Sequence, residues 1–313
     1  MKELLLHRVL DVLKRAGFIT SEPCEVRPRC FDMVASRRHV LLLVKVLLNI
    51  GGLSMDSANE MRCLAERLHC SPLIVGERTC NKPLDNGVVY LRYGIPSINL
   101  QTLHDLFVFE IPPLIYAAPG GLYVNIDGDA LQEARTSRGI SLGEIASQLG
   151  VSRRAINKYE EGMNATIRVA LKLESFLNMA LSHPIDILHP RPYDTPSHSQ
   201  KTISPVERAV FMMMIDIGFD VLPMVQAPFN ALSQDKTATI LTGVGKYGKH
   251  MIKRAKLMSS ISDVTETQSV FIIEGTSKSL QIDNTTLVKR SELESMEDSD
   301  EFVTLIQSRK IEL

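Results

Sequence analysis

Arg153, Arg154, Asn157 and Lys158 stand at spacings that gather four hydrogen-bonding side chains on one face of a short helix. Arginine can bond bidentately to guanine O6 and N7, and asparagine to adenine N6 and N7. Ser152 immediately precedes them, where its hydroxyl caps the helix and, with the first N–H groups, suits a phosphate. Lys158 suits either a base or a phosphate. Together these residues carry the chemistry of reading double-stranded DNA through the major groove.

The surrounding residues supply the frame. Leu131 and Ala134 begin a first helix that Gly139 stops. Ser141 precedes an apolar-periodic run with Glu144 three residues on, the signature of a capping box. Ile145, Ala146 and Leu149 form the inner face of that second helix, and Ala146 is small where two helices cross. Gly150 supplies a corner with positive φ, Val151 turns inward, and Ile156 and Tyr159 are the buried stripe of the third helix. Residues 131–162 therefore read as a helix-turn-helix, with the helix at 152–161 facing the major groove. The alternative is a helix pair used only for packing or dimerisation, but such a pair has no use for two Arg, an Asn and a Lys on one face. Residues 127–180 hold as many acidic as basic side chains. Binding would then depend on a local patch and on a dimer rather than on a broad basic footprint.

The run LGEIASQLGVSRRAINKYEEG and the following IRVALKLESFL resemble the Cro/C1-type helix-turn-helix family. That resemblance puts Glu160 and Gly162 at the end of the recognition helix, and adds Ser141 and Leu142, at the start of the second helix, to the DNA-facing positions. Many members carry Gln where this chain has Leu142, a departure that touches one contact and not the fold. The chain more widely resembles a family of archaeal HTH-type transcriptional regulators, through FDMVASRRHVLLLVKVLLNI, GVVYLRYGIPSINLQTL and GGLYVNIDGDALQEAR. The resemblance implies a DNA-binding regulator in the cytoplasm and names neither operator nor effector.

At 313 residues the chain suits two or three domains, and its net charge of −1 argues against non-specific coating of nucleic acid. Residues 1–18 read as an amphipathic helix rather than a signal peptide, and no apolar run is long enough to span a membrane. Cys24, Cys30, Cys63, Cys70 and Cys80 are odd in number and lack C-x-x-C spacing, so reduced thiols are expected rather than disulfides or zinc. The eight His are scattered without metal-ligand spacing. No cofactor and no metal are expected. The expected partners are double-stranded DNA and a second copy of the chain, with the transcription machinery as a further candidate.

The expected fold class is multidomain α/β (α+β). Two α/β arms, 1–112 and 204–313, flank a small all-α helix-turn-helix domain at 127–182, with a Pro-rich linker at 183–203. Both arms place Gly-Phe after a first helix (Gly17-Phe18, Gly218-Phe219) and an aromatic followed by Asp or Asn before a central strand (Phe31-Asp32, Phe229-Asn230). This common order reads as an internal duplication, against the chance likeness of any two α/β domains of this size.

The order of elements in the arms resembles the PD-(D/E)XK nuclease fold. That chemistry needs an Asp, then an acidic residue two before a Lys on the next strand, so that two acids hold Mg²⁺ and the Lys steadies the attacking water. Asp32 and Lys45 are present, but Leu43 stands at the second acidic position. Glu60 on the next helix could migrate in, as an acid does in some members of that fold. The second arm has Asn230 and Leu241-Thr242-Gly243-Val244 there, with neither acid nor Lys. Asp32 and Lys45 are accordingly expected as a degenerate, charge-paired remnant, with a DNA-backbone or ligand contact as the alternative. Gly243-x-Gly245-x-x-Gly248 matches a phosphate-loop string only weakly, and a solvated turn is the plainer explanation.

The function expected from these residues is sequence-specific DNA-binding transcription regulation, without enzyme activity. The alternatives are a nuclease targeted by the helix-turn-helix, or a non-catalytic scaffold or dimerisation protein.

Overall fold

A computed structural model describes residues 1–189, 203–275, 277 and 279–311. Along the chain the elements are α1 (Lys2–Arg15), β1 (Ile19–Thr20), β2 (Met33–Arg37), β3 (Val40–Asn49), α2 (Met55–Arg67), β4 (Ser71–Thr79), β5 (Lys82–Pro83), β6 (Val88–Arg92), β7 (Ile95–Ile98) and α3 (Leu100–Val108). Then come β8 (Ile115–Ala118), β9 (Gly121–Ile126), α4 (Gly128–Ser137), α5 (Leu142–Leu149), α6 (Arg153–Glu160), β10 (Ala165–Thr166), α7 (Ile167–Leu177) and β11 (Ser182–His183). The last are α8 (Pro205–Asp216), β12 (Asp220–Pro223), β13 (Ala231–Gln234), β14 (Thr239–Lys246), α9 (Lys249–Thr265), β15 (Gln268–Glu274), β16 (Gln281–Ile282), β17 (Thr285–Lys289), α10 (Arg290–Leu293) and α11 (Ser299–Ile311). The mixed α/β class and the central helix-turn-helix match the sequence reading.

The described residues form two compact units that do not follow chain order. The first holds residues 1–12, 47–52 and the stretch from Leu73 through the helix-turn-helix. The second holds 13–46, 53–72 and the C-terminal arm. The expected arm at 1–112 is thus shared between the two units.

In the first unit, β4 runs parallel to β7, β7 is antiparallel to β6, and β6 runs parallel to β8. The sheet continues antiparallel through β9 to β10, with β11 also on β9. The Pro/Gly-rich stretch before the helix-turn-helix therefore extends the sheet. The core of the helix-turn-helix is not all-α as expected: Val124 and Ile126 of β9 and Ala165 of β10 are buried in it with Leu131, Ile145, Leu149, Ile156 and Leu173. The short helices alone offer too little apolar face, and the strands supply the rest. The expected Pro-rich linker is ordered at its start, where His183 pairs with Asn125 and Ile187 is buried. Its remainder from residue 190 to 202 lies outside the described residues.

In the second unit, β1, β2 and β3 form an antiparallel meander. The C-terminal arm is a six-stranded sheet in the order β12-β13-β14-β15-β17-β16, with β14, β15 and β17 parallel. Its helix α8 starts with a complete capping box, Ser204 and Glu207 bonding reciprocally. α9 lies on β14, β15 and β17 and also packs against β2.

The two arms share several local bonds. Phe18 N–H donates to Leu13 C=O at 2.9 Å, and Phe219 N–H to Met214 C=O at 3.0 Å. Asp32 N–H donates to Val44 C=O and Asn230 N–H to Thr242 C=O, both at 2.8 Å. Val46 N–H donates to Asp32 Oδ2 at 2.7 Å, and Val244 N–H to Asn230 Oδ1 at 2.8 Å. Phe31 and Phe229 are both buried beside them.

Gly243 is explained by packing. A Cβ there would come within 2.4 Å of the Phe271 ring, so the glycine lets the aromatic lie flat across β14 and β15. The phosphate-loop string thus takes one of its glycines from sheet packing.

Candidate nucleic-acid interface

Each helix of the helix-turn-helix begins with a side-chain cap. Asp127 accepts from Ala130 N–H at 2.9 Å, and Ser141 and Ser152 accept from Glu144 and Ala155 N–H at 3.1 Å. Of the expected capping box at Ser141, this is the half that forms. α5 ends at Gly150, with φ +71°, as the sharp corner requires. Lys172 Nζ covers the last turn of α5 by donating to Leu149 C=O at 3.2 Å.

The two crossing points are fixed by small residues. Ala146 is buried at the centre of the bundle. Gly128, at the start of α4, lies so close to the end of α6 that a Cβ would sit 2.3 Å from Glu160 C=O. α4 and α6 are also tied by charge. Arg135 donates to both oxygens of Glu160, at 2.5 and 3.1 Å, and to Ile140 C=O at 3.2 Å. The hydrogen bond to Glu160 raises the Arg135 pKa above its ordinary value. The sequence pattern marks Glu160 but not its partner. An Arg on the inner flank of the first helix, four residues before the stopping glycine, was the available signal.

On this frame Ser152, Arg153, Arg154, Asn157 and Lys158 are all exposed on the outer side of α6. Among the described residues, none of the side chains of Arg154, Asn157 and Lys158 makes a hydrogen bond or ion pair, so their donors face solvent. Ser141 is exposed too, its hydroxyl engaged in the cap. Leu142 behaves differently: it is half-buried and packs against the helix-turn-helix core, since an apolar side chain gains more there than at a phosphate surface.

Gly143 is a site residue that the sequence pattern does not mark. The Arg153 guanidinium lies over it, Nε and Nη2 within 3.0 Å of where a Cβ would be. A glycine inside a helix costs stability, which is the sequence signal that it has a local reason. Its effect is to let Arg153 lie against the first turn of α5, where helix N–H groups also point outward.

The structure also brings Asp32 and Lys45 together, at 4.0 Å. Asp32 is wholly buried and accepts from Arg29 Nε at 2.7 Å, a partner absent from the sequence reading. Lys45 Nζ donates to Arg29 C=O at 2.6 Å. Leu43 is fully buried. Glu60, the one acid that could have completed a metal site, accepts from the Val225 N–H and, at 2.7 Å, from the Gln226 N–H. One carboxylate held between two cations does not fit a magnesium ion, whose charge needs several anionic oxygens. Among the described residues no group of three or more His, Cys, Asp or Glu is placed to hold a metal. Burial pushes the Cys24 and Cys30 thiols up, the latter well above the ordinary thiol value. All five cysteines are unbridged.

No helix among the described residues is long and apolar enough to cross a membrane. Residues 2–113 match the family model of the PD-(D/E)XK superfamily domain, and residues 131–183 match that of the helix-turn-helix. A protein of Methanococcoides burtonii named "Putative HTH-type transcriptional regulatory protein" is 49% identical, over 98% of this chain and 97% of its own. A protein of the same name from Methanocella arvoryzae is 47% identical over 99% and 97%. Another, from Natronomonas pharaonis, is 41% identical over 98% of both. With likeness of this extent over nearly the whole length, the chain belongs to this family of archaeal HTH-type transcriptional regulatory proteins.

Proposed function

We propose that the chain is a sequence-specific DNA-binding transcription regulator of the cytoplasm. It reads the major groove with the helix at 152–161 and acts as a homodimer. The observation that carries this reading is the outer face of α6. Arg154, Asn157 and Lys158 are exposed and unpaired among the described residues, on a helix whose other side is locked into a core. Arg154 and Asn157 read bases, Ser141, Ser152 and Arg153 hold phosphates, and Lys158 serves either. One such helix reads only a few base pairs, at roughly 1–3 kcal/mol each, so two half-sites about one helical turn apart supply regulator-grade specificity. The arms then serve to join two copies or to meet the transcription machinery.

The test is selection from random-sequence DNA with the purified protein at fixed salt and without metal. Enrichment of a two-fold symmetric motif is expected. Weak, salt-sensitive binding without a motif would overturn the reading.

A further inference from the structure

The second unit contains a cavity of about 200 Å³ beside Asn230. Phe211, Met224, Val225 and Phe229 line part of it, and its polar groups are Arg27, Asn230, Glu207, His250 and Arg254. Arg254 is half-buried in the sixth position of α9. Its Nε donates to Pro228 C=O at 2.7 Å and its Nη2 to Asn230 Oδ1 at 2.8 Å, both neutral acceptors. The guanidinium lies over the Phe271 ring at 5.7 Å. Among the described residues no carboxylate lies within ion-pairing distance of it.

The contrast with the first arm is one of charge. There the equivalent carbonyl-bearing side chain is Asp32, an anion matched by Arg29 and Lys45. In the second arm the same place holds neutral Asn230, and the cation beside it lacks a matching anion in contact. The nearest acid, Glu207, is already engaged: one oxygen takes the Ser204 N–H at 2.9 Å and the other takes the Asn230 amide. Burial makes the charge on Arg254 costly and lowers its pKa from the ordinary arginine value, although Glu207 acts in the opposite sense. His250, one turn earlier on the same face of α9, lines the cavity too, and α9 begins at Gly248 without a side-chain cap. A carboxylate in this cavity would meet the Arg254 and Arg27 guanidinium groups and the His250 imidazole on its lining. Phe211, Met224, Val225 and Phe229 on the remaining wall would take up a short hydrocarbon body.

We infer that this cavity is a binding site for a small organic carboxylate with an apolar body. The inference is independent of how the helix-turn-helix reads DNA.

The test uses the full chain with phenylacetate, neutral phenylacetamide and inorganic phosphate as probes, followed by ligand-observed NMR and by the shift in Tm. Phenylacetate is expected to bind saturably below about 10 mM, with phenylacetamide and phosphate at least about tenfold weaker. Arg254→Gln is expected to weaken phenylacetate by about tenfold or more. Because Arg254 also holds the Pro228 carbonyl, His250→Ala at an exposed position gives a second reading, expected to weaken binding several-fold without changing the circular dichroism spectrum. Equal binding of acid and amide, stronger binding of phosphate than of phenylacetate, no saturable binding by about 10 mM, or unchanged affinity in His250→Ala would each overturn the assignment.

Discussion

Asp32 and Asn230 make the same backbone and side-chain bonds in the two arms and differ by a single charge. Each donates its N–H to the neighbouring strand at 2.8 Å, and each side-chain oxygen takes the N–H of a valine, Val46 or Val244. The shared bond explains why an Asp or Asn persists in both arms once metal chemistry is set aside. The side chain pins the central strand to the segment before it. The charge then decides what else gathers there: Arg29 and Lys45 around Asp32, Arg254 and Glu207 around Asn230.

Asp32→Ala should therefore act on stability. It strands two cations in a site whose carboxylate has no exposure at all, and the expected cost is about 3–5 kcal/mol. Asp32→Asn keeps the bond from Val46 and should cost less. Urea denaturation of the two variants gives the comparison. Wild-type stability in Asp32→Ala would show that the ion pairs contribute nothing.

The same arrangement predicts that Mg²⁺ or Mn²⁺ will not support cleavage of supercoiled plasmid by the purified protein. Metal-dependent nicking that Asp32→Asn abolishes would contradict the reading of this site as a structural remnant.

Arg154→Ala and Asn157→Ala should each lose roughly 1–3 kcal/mol of affinity for the selected operator while binding scrambled DNA nearly as before. Fluorescence anisotropy at one salt concentration separates the two. Equal losses on both sequences would reassign these residues to phosphate contacts.

Gly143→Ala separates stability from recognition. Alanine favours the helix by about 0.5–1 kcal/mol, but its methyl displaces the Arg153 guanidinium. A raised Tm with weakened DNA binding is expected. Improved stability with unchanged affinity would show that the placement of Arg153 does not matter.

Glu174 should make the helix-turn-helix sensitive to acid. Burial disfavours its charge, but bonds from Leu181 N–H, the Ser182 hydroxyl and Ser182 N–H together outweigh this and hold its carboxyl below the ordinary value. A depressed folded-state pKa stabilises the fold above the unfolded value, and that contribution is lost as pH falls below about 4 through the folded value. Hydrogen exchange of α7 and β11 should accelerate there in the wild type, and Glu174→Gln should flatten the dependence. An identical pH profile in the variant would exclude this carboxylate as the source.

Local chemistry made much of this protein legible in its sequence. Ser141, Gly150 and Ser152 mark helix ends through bonds made within three or four residues. The spacing of Ile145, Leu149, Ile156 and Tyr159 fixes which side of each helix is buried, and so leaves Arg154, Asn157 and Lys158 outside. The repeated Gly-Phe and Phe-Asp/Asn signals mark like turns and strand entries in the two arms for the same reason, since each serves a nearby turn or strand.

Tertiary structure decided the rest, because those contacts join residues whose separation carries no periodic signal. Arg135 finds Glu160 across 25 positions, and Glu60 reaches the Val225 and Gln226 N–H groups across 165 and 166. Leu142 turned to the core because apolar area outweighed its place on the helix, and β9 entered a core expected to be helical because the four short helices α4 to α7 share it with strand residues. Periodicity along a chain states which face of an element is apolar. Only packing states what that face meets, and with it which charges are matched and which are left for a ligand.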